Sequence, residues 1–481
     1  MRVKLIHQLF LLVPFFTLAQ DLASFAPHHS KVSADSLKMV LKSNRDAYMK
    51  KIQKEDPHII TILRNEYDER INDINLLCKN NYLFWDDTLS RYLKNIVRKL
   101  QAGSPFIKKD IILMVSKTVV PNAGSWGDNV IMINTGLITR YENEAELAFV
   151  IGHEMAHDYL DHVFKGDKLE YELTKQLKFN RKFRRAQRAK YQTSARVSEV
   201  LEEYLGAVTS FGRKDELQAD SLGAVLIKNA GYSYRNAVNS LAILEHVDDA
   251  FFTDSLQLKK IFSDNTHPFN DKWLQQENLS NMKVYRETLS DSLSTHPICR
   301  ERMRILSSVF KVDTNSKAPS SFNINYYHQK AYFENAQVSF DERNYMLALY
   351  HSLQLLQKYP KNSYLISTIC GSFYHISYAL KKHRFSYYVP LPHPDYDSDL
   401  NLLISFLNNL SYSDYKKLVT QLYEKYSQEL VEDVHLASAK FYCDAIDWPD
   451  ADLAKEINAF NKSNKIKRFE DILNEIGYEK K

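Results

Sequence analysis

Residues 153–157 of the chain read His-Glu-Met-Ala-His. Residues four apart on an α-helix lie on one face, one turn from each other, so the imidazoles of His153 and His157 can reach the same metal ion. Glu154, which lies beside this face, can then serve as a base. A chain of 481 residues can contain such a pentad by chance, so the interpretation depends on the flanking residues.

The residues around the pentad have the pattern of an amphipathic helix. Asn143 can cap the start of the helix, and Glu146 follows three residues later, as in a capping box. Apolar residues then recur at helical spacing, at Leu147, Val150 and Ile151. The pattern predicts a helix that continues to about Phe164 and ends at Gly166.

A zinc site needs a third protein ligand and an open fourth position for water. Glu216 is the candidate ligand, and Asp220 lies one turn further along the same predicted helix, from about residue 201 to 230. A carboxylate in that place can accept the free N–H of a metal-bound imidazole. The small residues Ala219 and Gly223 would let this helix pack closely against the pentad helix. The alternative interpretation is an acidic, solvated helix face.

Three blocks of sequence occur in an order that carries a family resemblance. They are residues 122–123, 130–138 and 143–157, then residues 211–223, and finally residues 295–297 with Arg302 behind them. Together they resemble the HtpX-like and BepA-like zinc metallopeptidases, which are soluble and membrane relatives of the CAAX prenyl endopeptidases.

The resemblance implies a mainly α fold with a small β-sheet, which is the gluzincin type of zincin core. It implies one zinc ion per chain, bound by His153, His157 and Glu216, with Asp220 behind the ligands. Glu154 would take a proton from the attacking water and pass it to the leaving amine.

The resemblance also implies where a substrate binds. The segment 130–134 would be the edge strand of the sheet, along which an extended polypeptide lies and pairs its backbone. The residues expected to contact the substrate are therefore Asn122, Ile133 and Asn134.

His296 is the candidate for a further catalytic residue, and its role is open. It can stabilise the oxyanion, block the metal as a movable ligand, or only cap a helix before Pro297. A second Thr-His-Pro tripeptide contains His267, so the choice of His296 depends on the trailing Arg302.

The N-terminus predicts export. Arg2 and Lys4 precede an apolar run from residue 5 to 18, and a small-residue cleavage site follows at residues 17–19. Residues 1–19 are thus predicted to be a signal peptide, and the mature chain is predicted to begin at Gln20 and to be soluble in the periplasm or outside the cell. An uncleaved membrane anchor is the alternative.

Composition limits the remaining classes of function. The formal net charge of the whole chain is +4, which is no signature of nucleic-acid binding. The four cysteines lie without metal-ligand spacing, and their pairing is open. They are Cys78, Cys299, Cys370 and Cys443.

The chain is expected to have four regions, and the predicted signal peptide is the first of them. Residues 20–110 form a helical N-terminal segment, and residues 111–312 form the metallopeptidase domain, interrupted by a charged helical insertion at 167–204. The basic stretch 178–190 within this insertion can be a solvated helix face or can contact an acidic membrane surface or partner.

The fourth region, residues 323–481, is predicted to be a helical repeat domain. Aromatic and small residues recur there at the spacing of a tetratricopeptide repeat, at Tyr332, Ala336, Tyr345, Ala348 and Pro360. BepA-like proteins join a peptidase core to such repeats, whereas a generic helical bundle is the alternative.

These observations favour an exported zinc metalloendopeptidase that acts on unfolded or misassembled envelope proteins. The alternative is a chaperone or assembly factor whose repeats bind clients and whose proteolysis is secondary. An inactive scaffold is disfavoured because the candidate ligands, the base and Asp220 are all present.

Overall fold

The computed structural model describes most of the chain and is mainly helical, with one small sheet. The described residues are 22–27, 34–84, 88–107, 110–175, 181, 184–185, 193–247, 252–263, 268–276, 299–312, 325–394, 396–465 and 468–476. Over these ranges, the helices are too short or too polar to cross a lipid bilayer. The predicted signal peptide, His267 and His296 lie outside the described residues.

The sheet has four strands in the order β1-β2-β4-β3. Strand β4 pairs in parallel with β2, and the other two pairings are antiparallel. The strands are β1 (Leu83–Phe84), β2 (Ile112–Ser116), β3 (Ala123–Gly127) and β4 (Val130–Asn134). Strand β3 therefore forms one edge of the sheet.

The expectation that residues 130–134 form the edge strand was wrong. Strand β4 lies between β2 and β3 and is hydrogen-bonded on both sides. Its apolar run with little alternation is the pattern of a strand that is buried on both faces. On that side of the described sheet the edge strand is β3, whose Gly-Ser-Trp-Gly sequence has no strong strand signal.

The helices before and around the sheet form the first half of the molecule. They are α1 (Ala34–Ile52), α2 (Pro57–Lys79), α3 (Thr88–Gly103), α4 (Thr135–Ile138), α5 (Glu144–Tyr159), α6 (His162–Lys175), α7 (Thr193–Asn229), α8 (Tyr234–Glu245), α9 (Leu258–Phe262) and α10 (Cys299–Val309).

The pentad helix α5 is shorter than predicted. It ends at Tyr159, Asp161 adopts a left-handed conformation with φ of 57°, and α6 begins at His162. Gly166, which was expected to end the first helix, lies inside the second one. The sequence block at residues 211–223 also lies on a longer helix than predicted, because α7 already begins at Thr193.

Helix α3 packs in the same hydrophobic core as the sheet and α5. Its buried face places Leu93 and Ile96 beside Val115 of β2 and Leu147 of α5. The predicted boundary between residues 110 and 111 remains a prediction, but α3 shares one hydrophobic core with the sheet and α5.

The second half of the molecule is a stack of antiparallel helices with a core of its own. The helices are α11 (Asn325–Asp341), α12 (Tyr345–Lys358), α13 (Ser363–Lys381), α14 (Phe385–Tyr388), α15 (Ser398–Asn409), α16 (Tyr412–Ser427), α17 (Val434–Ala445), α18 (Asp450–Asn464) and α19 (Glu470–Glu475). Helix α13 packs against α12 on one side and against α16 and α17 on the other.

The helical tail also receives residues from the middle of the chain. Ile261, Phe262 and Trp273 are buried in the tail core, and the Phe262 ring lies 5.6 Å from that of Phe406. Lys425 of α16 donates hydrogen bonds to backbone carbonyls at the end of α9. The segment 252–276 therefore packs with the tail although it precedes α10 in sequence.

Candidate metal centre

The start of α5 is held by its first residues. The Asn143 side chain accepts a hydrogen bond from the Ala145 backbone N–H at 3.0 Å, as predicted for an N-cap. The carboxylate of Glu146, the other residue of the predicted capping box, accepts a hydrogen bond from Asn239 of α8. Glu144 is buried and accepts hydrogen bonds from three side chains: Tyr92, Lys99 and Tyr232.

Helices α5 and α7 cross at two glycines. A Cβ atom at Gly223 would lie 3.0 Å from the backbone N of His153, and one at Gly152 would lie 3.4 Å from the Gly223 carbonyl oxygen. Ala219, one turn earlier on α7, is fully buried. The small residues thus allow the close approach that their positions in the sequence indicated.

The crossing brings three candidate ligands together. The Nε2 atoms of His153 and His157 are 3.0 Å apart. Each lies 3.4 Å from a carboxylate oxygen of Glu216, Oε2 for His153 and Oε1 for His157. These three side chains form a group that could hold a metal ion.

Asp220 lies behind the ligands and connects two charged groups. Its Oδ1 atom lies 3.0 Å from Nδ1 of His153, the nitrogen that faces away from Glu216. Arg302 of α10 donates to both carboxylate oxygens, at 2.7 Å from Nε and 2.6 Å from Nη2. A bidentate arginine of this kind fixes the plane of the carboxylate. Arg302 therefore orients the Asp220 carboxylate toward Nδ1 of His153.

The electrostatics of the centre favour positive charge at the ligand positions. Burial alone would lower the pKa of His153, but the carboxylates of Asp220 and Glu216 outweigh it and raise that pKa to about 10. Burial likewise opposes ionisation of Asp220, yet Arg302 and His153 lower its pKa. A protonated imidazole or a bound metal cation can satisfy this field.

His162 was not singled out in the sequence, yet it belongs to the centre. Its Nδ1 atom lies 3.0 Å from Nδ1 of His157. Its Nε2 atom lies 3.2 Å from Oε1 of Gln218 and 3.5 Å from Oδ1 of Asp215. Burial and the neighbouring His157 lower the pKa of His162 to about 4, so its ring is neutral at physiological pH.

The candidate ligands open into a cavity of about 680 Å³. Glu154 lines this cavity beside both pentad histidines and is 8% exposed. One wall is formed by the edge strand β3 and the preceding Asn122, and another by apolar residues of α4, α5 and α8, namely Leu137, Phe149, Val150 and Leu244. The cavity therefore joins the candidate ligands to an edge strand of the described sheet.

Two of the three predicted substrate contacts are not in this cavity. Ile133 is fully buried in the central strand β4, and the Asn134 side chain donates to the Val120 carbonyl at 3.0 Å. Both were assigned because β4 was taken as the edge strand, and their contact with a substrate stays a prediction. Asn122 does line the cavity.

The turn between β3 and β4 is fixed by the pentad helix. Asp158 follows directly after His157, and its carboxylate accepts from the backbone N–H of Asn129 at 2.6 Å. The turn residues Asp128 and Asn129 both have positive φ angles. The helix that carries the metal ligands therefore also positions the edge strand.

The structure also bears on the cysteines, whose pairing the sequence left open, and on the basic stretch. No disulfide links the cysteines of the described residues, and the sulfurs of Cys370 and Cys443 lie 3.8 Å apart. Of the stretch 178–190, only residues 181, 184 and 185 are described, and all three are exposed.

Comparison with known proteins agrees with this geometry. Residues 87–309 match the family model of Peptidase family M48. This range begins just before α3 and contains all the candidate ligands, Asp220 and Arg302. The matched part of the chain supports a metallopeptidase.

A curated relative shows the same kind of likeness. The mitochondrial metalloendopeptidase OMA1 of Arabidopsis thaliana is 29% identical over 187 residues. The match covers 37% of this chain and 33% of the relative, so the chain spans about a third of that protein.

Proposed function

We propose that this chain is an exported, zinc-dependent metalloendopeptidase that cleaves unfolded or misassembled proteins of the cell envelope. One observation carries the proposal: the nitrogens of His153 and His157 and the carboxylate of Glu216 converge beside Glu154 in one cavity. The match to the peptidase family supports the same reaction class.

The donor set fits zinc. Two imidazole nitrogens and one carboxylate are a common protein ligand set of catalytic zinc sites. Tetrahedral bonds of the usual length place ligand atoms about 3.3 Å apart, close to the 3.0 and 3.4 Å separations of the three donors. When bound, zinc polarises a carbonyl and lowers the pKa of a coordinated water.

Glu154 supplies the proton transfers. Its carboxylate accepts a proton from the attacking water as the new C–O bond forms at the scissile carbonyl. It then gives that proton to the amide nitrogen as the C–N bond breaks, so the products are an amine and a carboxylic acid, which ionises by passing its proton to the amine or to solvent. This role requires the side chain in the same cavity as the ligands, where it lies.

The position of β3 at an edge of the described sheet indicates an extended substrate. A polypeptide added antiparallel to β3 would pair its backbone with residues 123–127 while it crosses the ligands. Main-chain pairing reads little sequence, and a folded protein cannot offer such a strand. Unfolded or misassembled polypeptides are therefore the substrate class that fits.

Cleavage of a reduced, unfolded polypeptide by the purified mature chain tests the function. We expect hydrolysis that a chelator abolishes and that added zinc restores. A second arm determines the N-terminus of the exported protein, which should be Gln20 and not Met1. Absence of cleavage in the presence of zinc would contradict the enzymatic proposal.

Client binding by the helical tail is the second candidate function. The tail carries a cavity of about 660 Å³ lined by cationic and tyrosine side chains, among them Arg343, Arg384 and Tyr387. Tyr387 is 81% exposed. Stacked helices with such a surface are suited to holding a partner. If an inactive Glu154→Gln protein still binds unfolded clients, and Tyr387→Ser weakens that binding, the tail has this role.

A further inference from the structure

The two pentad histidines are supported in different ways. A metal-ligating histidine uses one ring nitrogen for the metal and donates the other N–H to a partner, which fixes its tautomer and orientation. For His153 that partner is the carboxylate of Asp220.

The outer nitrogen of His157 faces another histidine. Its Nε2 atom faces His153 and Glu216, so Nε2 is the nitrogen placed to bind a metal. Its Nδ1 atom lies 3.0 Å from Nδ1 of His162. Two neutral imidazoles can share this contact only if one nitrogen carries the proton and the other accepts it.

We propose that His162 positions His157 as a metal ligand by accepting the hydrogen bond that Nδ1–H of His157 donates. The metal requires a lone pair on Nε2 of His157, so the proton of that ring is on Nδ1. His162 must then accept at Nδ1 and carry its own proton on Nε2. That proton points toward the side-chain oxygen of Gln218, at 3.2 Å.

Residues of α7 complete the relay, which is the chain of hydrogen bonds from His157 through His162 to α7. Gln218 and Asp215, which meet Nε2 of His162, flank the ligand Glu216 on the same helix. Both offer acceptor oxygens, which favour the N–H tautomer at Nε2. Helix α7 thus provides the ligand Glu216. Through Gln218 and Asp215 it also orients His162, which in turn positions the ligand His157.

The break between α5 and α6 makes this contact possible. On a continuous helix His162 would lie about 140° around the axis from His157, because five residues turn the helix by 500°. The left-handed Asp161 ends α5 and turns the chain back, so that the first residue of α6 faces His157. A separation of five residues, as between His157 and His162, therefore does not bring two side chains together on one helix. Their contact depends on the turn between α5 and α6.

Substitution of His162 by asparagine and by phenylalanine separates positioning from packing. Asparagine keeps an acceptor oxygen near the place of Nδ1, whereas phenylalanine keeps the ring volume and removes the acceptor. By chelator competition we expect His162→Phe to weaken zinc binding about 10- to 100-fold and His162→Asn to stay within a few-fold of wild type. The visible spectrum of the cobalt-substituted protein should change with His162→Phe.

A buried histidine elsewhere provides the matched control. His328 lies 2.7 Å from the Thr139 carbonyl and away from the metal ligands. His328→Phe should lower the melting temperature without changing zinc affinity. Gln218→Met, which removes the outer acceptor and leaves every ligand intact, should weaken zinc binding several-fold, and it decides the question if His162→Phe does not fold.

Wild-type zinc affinity in both His162→Phe and Gln218→Met would overturn the relay. Equal losses in His162→Phe and His162→Asn would overturn it as well, because packing alone would then be responsible. The inference rests on the proposed metal site, but its readout is metal affinity. A wild-type protein that binds zinc and cleaves nothing would therefore contradict the proposed function while the variants still decide the relay.

Discussion

At the scale of single residues, Asp220 determines the charge of the metal centre. It is 1% exposed and lies between His153 and the buried Arg302, with both of its oxygens engaged. A buried charge is tolerated only when it is paired and hydrogen-bonded. Asp220 is therefore needed by both neighbours, as an acceptor for the histidine and as a counter-ion for the arginine.

Asp220→Asn should lower zinc affinity about 10- to 100-fold, because the amide keeps the shape of the side chain but removes its charge. The same change should lower the free energy of unfolding, since Arg302 then loses its full counter-ion. Competition with a chelator and urea unfolding measure the two effects. Asp444→Asn, which removes only an exposed pair with Lys440, is the control and should change neither by much. Unchanged zinc affinity in Asp220→Asn would count against this role.

Glu144 is a second residue whose charge the fold uses. Burial acts to raise its pKa, but hydrogen bonds led by that from Lys99 outweigh burial and lower the pKa below its ordinary value of 4.5. The carboxylate therefore stabilises the fold at pH above 4.5, and this contribution is lost as the pH falls through the lowered pKa. It also lies at the positive end of the α5 dipole.

Glu144→Gln should lower the free energy of unfolding by about 1.5–3 kcal/mol at pH 7, the usual range for hydrogen bonds to a charged group. The difference from wild type should shrink as the pH is lowered below 4.5, because the carboxylate of the unfolded wild-type chain is protonated first and that of the folded chain only below its lowered pKa. Urea unfolding of both proteins at several pH values tests this. A difference that is constant down to pH 3 would contradict the assignment.

At the scale of elements, the metal centre depends on how closely α5 and α7 approach. The neighbours of a Cβ atom at Gly223 would be backbone atoms of His153 at 3.0 and 3.2 Å, and backbone cannot move aside as a flexible side chain can. Any movement of α7 away from α5 would carry Glu216 and Asp220 with it.

Gly223→Ala should therefore weaken zinc binding and lower the melting temperature, although alanine has the higher helix propensity. Gly166→Ala is the matched control, since nothing lies within 4 Å of a Cβ atom there and the residue is helical. That control should keep zinc affinity and should stabilise the protein by up to about 1 kcal/mol. Identical behaviour of the two variants would contradict the role of the crossing.

The sequence singled out the three residues that converge at the candidate metal centre but not the neighbouring His162, for a physical reason. The i, i+4 spacing of the pentad is set by helix geometry alone, so His153 and His157 could be recognised without a fold. His162 could not, because its contact depends on a left-handed residue, Asp161, that carries no strong stop signal. Gly166 offered the stronger signal for the end of the helix, and it lies inside α6.

At the scale of the whole molecule, the peptidase part and the tail are interleaved. The tail helix α11 reaches the core through Tyr327, which stacks on Tyr92 of α3 at 4.0 Å, and through Tyr332, which donates to the Thr139 carbonyl. The segment 252–276 lies in the tail core. Sequence order suggested a tail beginning at residue 323, whereas long-range packing of this kind has no local pattern.

Removal of residues 325–481 should therefore not release an intact peptidase. The deletion would expose apolar side chains that the tail now buries, including Ile261, Phe262 and Trp273. Exposed patches of that kind favour aggregation. Size-exclusion chromatography and thermal unfolding of the truncated protein measure the outcome. A soluble monomer with the wild-type melting temperature and activity would show that the tail is a separable module.

The account as a whole depends on Glu154 as the base beside a metal held by other residues. Glu154→Gln keeps the size of the side chain and leaves the three ligands untouched, so we expect one zinc ion per chain at wild-type affinity. Hydrolysis of an unfolded polypeptide by the same preparation should fall by several orders of magnitude. Cleavage at the wild-type rate by a zinc-loaded Glu154→Gln protein would contradict the proposed mechanism.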